Sequence, residues 1–79
     1  MVDIHIGILI EKELKRQERT PTWLASKIYC SRTNIYKIFK RKSIDSETLY
    51  RISVILNHNF FEYYNEMLKD ECEFLETQT

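Results

Sequence analysis

The sequence predicts an all-α protein, a compact bundle of five helices, and three observations carry that prediction. The 79-residue chain holds one glycine and one proline, whereas tight hairpins need positive φ, which glycine usually supplies. Apolar residues recur at spacings of three and four along most of the chain, the period of a helix face. Thr20, Ser31 and Asp45 stand just ahead of such runs, where helix N-caps belong.

The elements follow in order. Ile4, Ile6, Ile8 and Ile10 alternate as a strand would, yet Ile6, Ile10 and Leu14 are also four apart. Asp3 as a cap and the helix formers Glu11 to Arg16 favour a helix over about 4–17, locally weakened by Gly7. Thr20-Pro21 opens a second, short helix, because proline at the first helical position lacks an N–H that would go unpaired. It carries Trp23, Leu24, Ala25 and Ile28, and Tyr29-Cys30 form the turn after it. Ser31 caps a third helix over about 32–41, with Ile35, Ile38 and Phe39 facing inward. Asp45 caps a fourth over 46–56, with Leu49, Ile52, Val54, Ile55 and Leu56 as a broad apolar stripe that ends at Asn57-His58-Asn59. A fifth begins at Phe60 and runs to about residue 75, with an acidic polar face and a fraying end at Glu76 to Thr79.

Composition narrows the function classes. At 43% hydrophobic and 30% charged residues the chain has too much apolar mass for a disordered segment, and it is too short for a multi-domain enzyme. No Ser/His/Asp, Cys/His, paired-carboxylate or phosphate-loop arrangement occurs, so no catalysis, metal or cofactor is expected. Cys30 and Cys72 lie outside any metal-ligand spacing and, with no secretory leader in view, are expected as reduced thiols. The apolar stretch Val2 to Ile10 is far short of a membrane span, and a cytoplasmic protein is expected. Zero net charge hides a split. Residues 1–42 hold ten basic and four acidic side chains, a net of +6, and residues 43–79 hold two basic and eight acidic, a net of −6. A basic binding face joined to an acidic, partner-facing segment has this pattern, and so do two merely solvated faces.

Two short helices, a tight turn and a cationic outer face on the second are the parts of a helix-turn-helix over about 20–41. The segment TPTWLASKIYCSRTNIYKIFKRK, followed by DSETLYRISVILNHNFFEYY, resembles the Cro/phage-repressor (XRE-type) helix-turn-helix family over residues 6–62. Leu24-Ala25, Ile28, Ser31, Ile35 and Ile38 stand at that family's apolar and capping positions. Three positions depart from the pattern. Tyr29 and Arg41 stand where glycine is common, and Pro21 stands where a phosphate-holding glutamine is often found. The resemblance implies a lambda-repressor-like, cytoplasmic and nucleoid-associated regulator of bacterial or phage origin. It further implies a repressor of transcription acting on double-stranded DNA as a homodimer.

Residues 27–42 contain Lys27, Arg32, Lys37, Lys40, Arg41 and Lys42 and no acidic residue, the electrostatic requirement for contact with a phosphate backbone. By the resemblance, base edges are read by Arg32, Thr33, Tyr36 and Lys37 on the third helix. Arginine and lysine suit guanine O6/N7, and the threonine methyl suits thymine. Lys27, Lys40, Arg41 and Lys42 are assigned to phosphates, as are the hydroxyls of Thr20 and Thr22; Asn34 can serve either role. Trp23 is expected at the core edge, and His5 and His58 as surface or capping residues. The aromatic C-terminal helix exceeds the needs of one small core, so Phe61, Tyr64, Leu68 and Leu75 are assigned to dimerisation; folding back to complete the monomer core is the other use. An antitoxin-like protein-interaction module that works through the acidic C-terminal helix is the alternative function.

Overall fold

The computed structural model describes the backbone of residues 4–78 and the side chains of residues 4–69. Five helices follow one another: α1 (Ile6–Arg16), α2 (Pro21–Lys27), α3 (Arg32–Phe39), α4 (Ser46–Leu56) and α5 (Phe61–Gln78), with no strand among the described residues. None of these helices is long and apolar enough to cross a membrane.

The local signals behind α2, α3 and α4 act as expected. Thr20 Oγ1 accepts from the Trp23 amide at 3.0 Å, Ser31 Oγ from that of Asn34 at 3.2 Å, and Asp45 Oδ2 from that of Thr48 at 3.0 Å. Each satisfies one of the amides that the first turn of a helix leaves without a partner. α1 differs from expectation. It starts two residues later than its periodicity suggests, and its cap is His5, whose Nδ1 accepts from the Ile8 amide at 3.2 Å; Asp3 lies outside the described residues. α3 ends at Phe39, two residues short of the expected boundary, as the Lys40 and Arg41 amides tighten to the carbonyls of Lys37 and Ile38.

Three of the helices end in the same way. One or two residues past the end the chain takes a left-handed conformation (Glu18 at φ 58°, Tyr29 at 57°, Asn57 at 49°). The following amide then donates to the carbonyl five residues back: Arg19 to Leu14, Cys30 to Ala25 and His58 to Ser53, at 2.9–3.0 Å. This Schellman-type closure normally takes glycine, and here no glycine stands at any of the three. Arg41, where the resembling family often has glycine, is not among the positive-φ residues, so its side chain meets no backbone conflict.

The chain's one glycine answers a different demand. Gly7 lies in the first turn of α1, where that helix runs into the end of α3. A Cβ placed there would stand 2.6 Å from the Phe39 carbonyl carbon and overlap the carbonyl oxygens of Ile38 and Phe39. The close approach serves hydrogen bonding. The Ile6 amide donates to the Lys42 carbonyl at 2.9 Å and the Gly7 amide to that of Arg41 at 3.0 Å, so two amides that a helix start leaves open are satisfied by the strand of chain leaving α3.

One core joins the elements: Ile6, Ile10 and Leu14 of α1, Leu24 and Ala25 of α2, Ile35, Ile38 and Phe39 of α3, Leu49, Ile52 and Leu56 of α4, and Phe60 before α5. Trp23 packs at its edge, as expected. Within the apolar stripe read for α4, however, Val54 is a correction, since 62% of its surface is exposed. A helix core face about 100° wide takes Leu49, Ile52 and Leu56, and position 54 falls on the far side.

The opposite end of α1 is held by side chains. Glu13, only 7% exposed, accepts from Arg16 through both nitrogens of a fork, from Gln17 Nε2 at 2.6 Å, and lies 3.6 Å from His58 Nδ1. Gln17 Nε2 also donates to the Leu56 carbonyl at 2.7 Å, and His58 Nε2 is 3.0 Å from the Tyr63 hydroxyl. The network ties the end of α1 to the end of α4 and the start of α5. The Arg16 hydrogen bonds, with those from Gln17 and the nearby His58, hold the Glu13 carboxyl at about 2 against an ordinary 4.5, although burial works the other way.

Candidate nucleic-acid interface

α3 is amphipathic in the simplest sense. Its apolar residues Ile35, Ile38 and Phe39 are buried, and Arg32, Thr33, Asn34, Tyr36, Lys37 and Lys40 are exposed. Arg32, Thr33, Tyr36, Lys37 and Lys40 follow the i, i+1, i+4, i+5, i+8 rhythm of one helix face. All four residues read from the sequence as base contacts therefore share one outward face, with Lys40 at its end. The Tyr36 ring stands edge-on to Phe39, with centroids 6.0 Å apart at 88°, so its stem is fixed on the core while its hydroxyl end reaches solvent.

The residues assigned to phosphates are distributed around this face. Thr22 is exposed at the start of α2. Thr20 is exposed as well, but its hydroxyl oxygen already caps α2, which leaves its O–H free to donate. Lys27 at the end of α2 lies over the Trp23 ring, 5.7 Å from the centroid. Lys40, Arg41 and Lys42 are exposed at the end of α3 and just beyond it. Their backbone is also structural, since the carbonyls of Arg41 and Lys42 receive the first amides of α1. Asn34, Lys37 and Arg41 line a small cleft of about 110 Å³ with Ile44, Asp45 and Thr48. Among the described residues that line this cleft, Asp45 is the one carboxylate. Its acidity is raised by hydrogen bonds from the Thr48 amide and hydroxyl and further by Arg41.

One participant escaped the sequence reading. Arg19 sets its guanidinium 4.5 Å from the Trp23 ring centre, so the indole is approached by two cations, Arg19 and Lys27, each four residues away. That spacing was present in the sequence; the signal missed was an aromatic residue centred between two basic ones. Tyr29, read from the sequence as a turn residue standing where glycine is common, is 90% exposed and held at positive φ between α2 and α3. A bulky side chain in that conformation is a real outlier; the departure from glycine marked the position, but only the structure supplied the dihedral.

The residues assigned to dimerisation separate. Phe61 and Leu68 are exposed on α5, while Tyr64 is half-buried against the core formed by the preceding helices; the Leu75 side chain lies outside the described residues. Cys30 is a free, half-buried thiol, and among the described residues no three His, Cys, Asp or Glu side chains gather as a metal site. Comparison with protein-family models, curated proteins and solved structures found no match, so any functional reading rests on the chain's own residues.

Proposed function

We propose that this chain is a sequence-specific regulator of transcription, repressor-like, that binds duplex DNA by inserting α3 into the major groove. In this reading α2 and α3 are the two arms of a helix-turn-helix. The observation that carries it is the outward face of α3, where Arg32, Thr33, Tyr36 and Lys37 stand together in a segment, residues 27–42, without an acidic residue. These are side chains that can donate to guanine O6/N7 or meet a thymine methyl. Lys27, Lys40, Arg41 and Lys42 flank that face as phosphate contacts, which set register and orientation without reading sequence. A protruding helix suits the wide major groove of B-form DNA better than the deep, narrow groove of A-form RNA.

Selection from random duplex DNA at about 150 mM salt, where unspecific attraction is weakened, is the direct test. Enrichment of one motif is the expected result. Weak binding that vanishes with salt, and no enriched motif, would overturn the reading in favour of a protein-interaction module. On the selected duplex, Lys37→Glu is expected to lower affinity by about a hundredfold, as the loss of one good base contact and the gain of a repulsive charge. Lys40→Ala should weaken all sequences alike and reduce the salt dependence by about one charge.

A further inference from the structure

A second cationic surface lies apart from the outward face of α3, where the end of α2 meets the latter half of α4. A groove of about 190 Å³ is lined there by Lys27, Ile28, Tyr50, Arg51, Val54 and Ile55. On α4, Arg51 and Ile55 form one row and Tyr50 and Val54 the next, each pair four residues apart and so stacked on one side of the helix. The lining is largely apolar. Ile28 and Ile55 are half-buried against the core, and the exposed Tyr50 and Val54 stand beside them. Its charged members, Lys27 and Arg51, are both cations, and among the described residues no carboxylate lines it. Lys27 also lies over the Trp23 ring, which Arg19 approaches at 4.5 Å, so the cationic rim continues past the indole to Arg19. Among the described residues none of Arg19, Lys27 and Arg51 forms an ion pair. Glu18 and Glu47, near Arg19 and Arg51 along the chain, do not line the groove.

We propose that this groove docks an acidic segment of another protein, one bulky apolar side chain seated against Ile28 and Ile55 and flanking carboxylates meeting Lys27, Arg51 and Arg19. Volume sets the anchor. An apolar cavity of about 150 Å³ holds benzene, so the groove has room for one phenylalanine or leucine side chain. Charge sets what surrounds it, since an acid on either side of the anchor meets a cation and a base meets repulsion. Two of the cations are held in advance. The Trp23 ring keeps Arg19 and Lys27 against its faces, so less side-chain freedom is lost when a carboxylate arrives. A nucleic-acid backbone would satisfy the cations but brings no apolar group to cover the groove. None of Arg32, Thr33, Tyr36 and Lys37 lines it, so a partner seated here leaves the outward face of α3 open. The inference goes beyond the DNA-binding proposal and does not rest on it; Lys27 is the one residue that both use. It also differs from an interaction through the acidic C-terminal helix, because here this chain supplies the cations.

Nuclear magnetic resonance titration of the isotope-labelled full chain with three capped peptides tests it: Glu-Glu-Phe-Glu-Glu, the same peptide with alanine at its centre, and Lys-Lys-Phe-Lys-Lys. The first is expected to shift the methyl signals of Ile28, Val54 and Ile55 and the Trp23 indole N–H, with a Kd of about 1 mM or tighter. The other two should bind at least about tenfold more weakly, one for want of the anchor and one for its charge. Arg51→Glu should weaken the first peptide by about tenfold, and Val54→Glu by several-fold. Both positions are exposed, so far-UV circular dichroism should read the same fold and duplex binding should be unchanged. An alanine peptide that binds as well as the phenylalanine one overturns the proposal, because charge alone then accounts for the binding. Shifts confined to Arg32 and Lys37 of α3, or no shifts at all, overturn it too, and so does duplex DNA that moves the Ile28 and Ile55 methyl signals as the peptide does. A chain that takes the peptide but selects no duplex leaves this inference standing without the DNA-binding proposal; one that selects a duplex and ignores the peptide does the reverse.

Discussion

The two ends of α1 are held by opposite kinds of chemistry. At its start, backbone meets backbone: the Ile6 and Gly7 amides reach the carbonyls of Lys42 and Arg41, and there is no room for a side chain at position 7. At its end, side chains form the joint, as Glu13 gathers Arg16, Gln17 and His58, and Gln17 bridges to the Leu56 carbonyl. The first joint is insensitive to protonation and intolerant of volume. The second tolerates shape changes better but depends on one carboxylate being ionised. The difference teaches that one helix can be docked by a steric fit that a methyl group breaks and by an ionic network that acid breaks.

The largest effect is expected at the steric joint. Gly7→Ala forces α1 away from α3 or distorts the carbonyls of Ile38 and Phe39, and should destabilise the fold by about 3 kcal/mol or more, although alanine is the better helix former by roughly 1 kcal/mol. Chemical denaturation measures this, and a neutral or stabilising result would mean that α1 is not seated as described.

The ionic joint should respond to pH. Because the Glu13 carboxyl is held at about 2 in the fold against 4.5 ordinarily, its contribution is fully present above about 4.5 and is lost as pH falls from there toward 2. Glu13→Gln, which sets an amide donor against the donors of Arg16 and Gln17, is expected to cost about 1–3 kcal/mol near neutral pH and to flatten the acid limb of the stability curve. Thermal melts of both proteins between pH 7 and 2 would show it; parallel acid limbs would remove Glu13 from its place in the joint. Gly7→Ala, by contrast, should lower stability equally at all these pH values.

The smallest effects concern how the helices stop. Tyr29→Gly relieves a left-handed tyrosine that covers no core, and a net gain of about 0.5–1 kcal/mol is expected after the added freedom of the unfolded chain is subtracted. Glu18→Gly, at the end of α1 itself, should gain less, because glutamate has no ring to accommodate. A loss of stability in either variant would contradict the Schellman-type ends.

Much of the candidate interface was legible without a fold. Arg32, Thr33, Tyr36 and Lys37 share a face because 3.6 residues make a turn, and a count along the sequence finds that. What no count finds is how Trp23 is used. Its two cations, Arg19 and Lys27, have the right spacing, yet spacing does not say whether an indole turns toward the core or lies open between them. Tyr64 makes the same point from the other side: its place in the α5 pattern suits a partner surface as well as it suits the core, and its burial came only with the packed bundle.

The sequence by itself determined that this chain is helical, where α2, α3 and α4 begin, and the bulk of the core, because caps and helix faces are set by residues within four positions of one another. Tertiary structure alone decided that Gly7 is needed for space, that Glu13 is buried and ionised, and that Val54 faces outward. These depend on which carbonyl or side chain arrives from thirty or more residues away, or on which side of a finished helix the neighbours already fill, and local spacing carries no record of either.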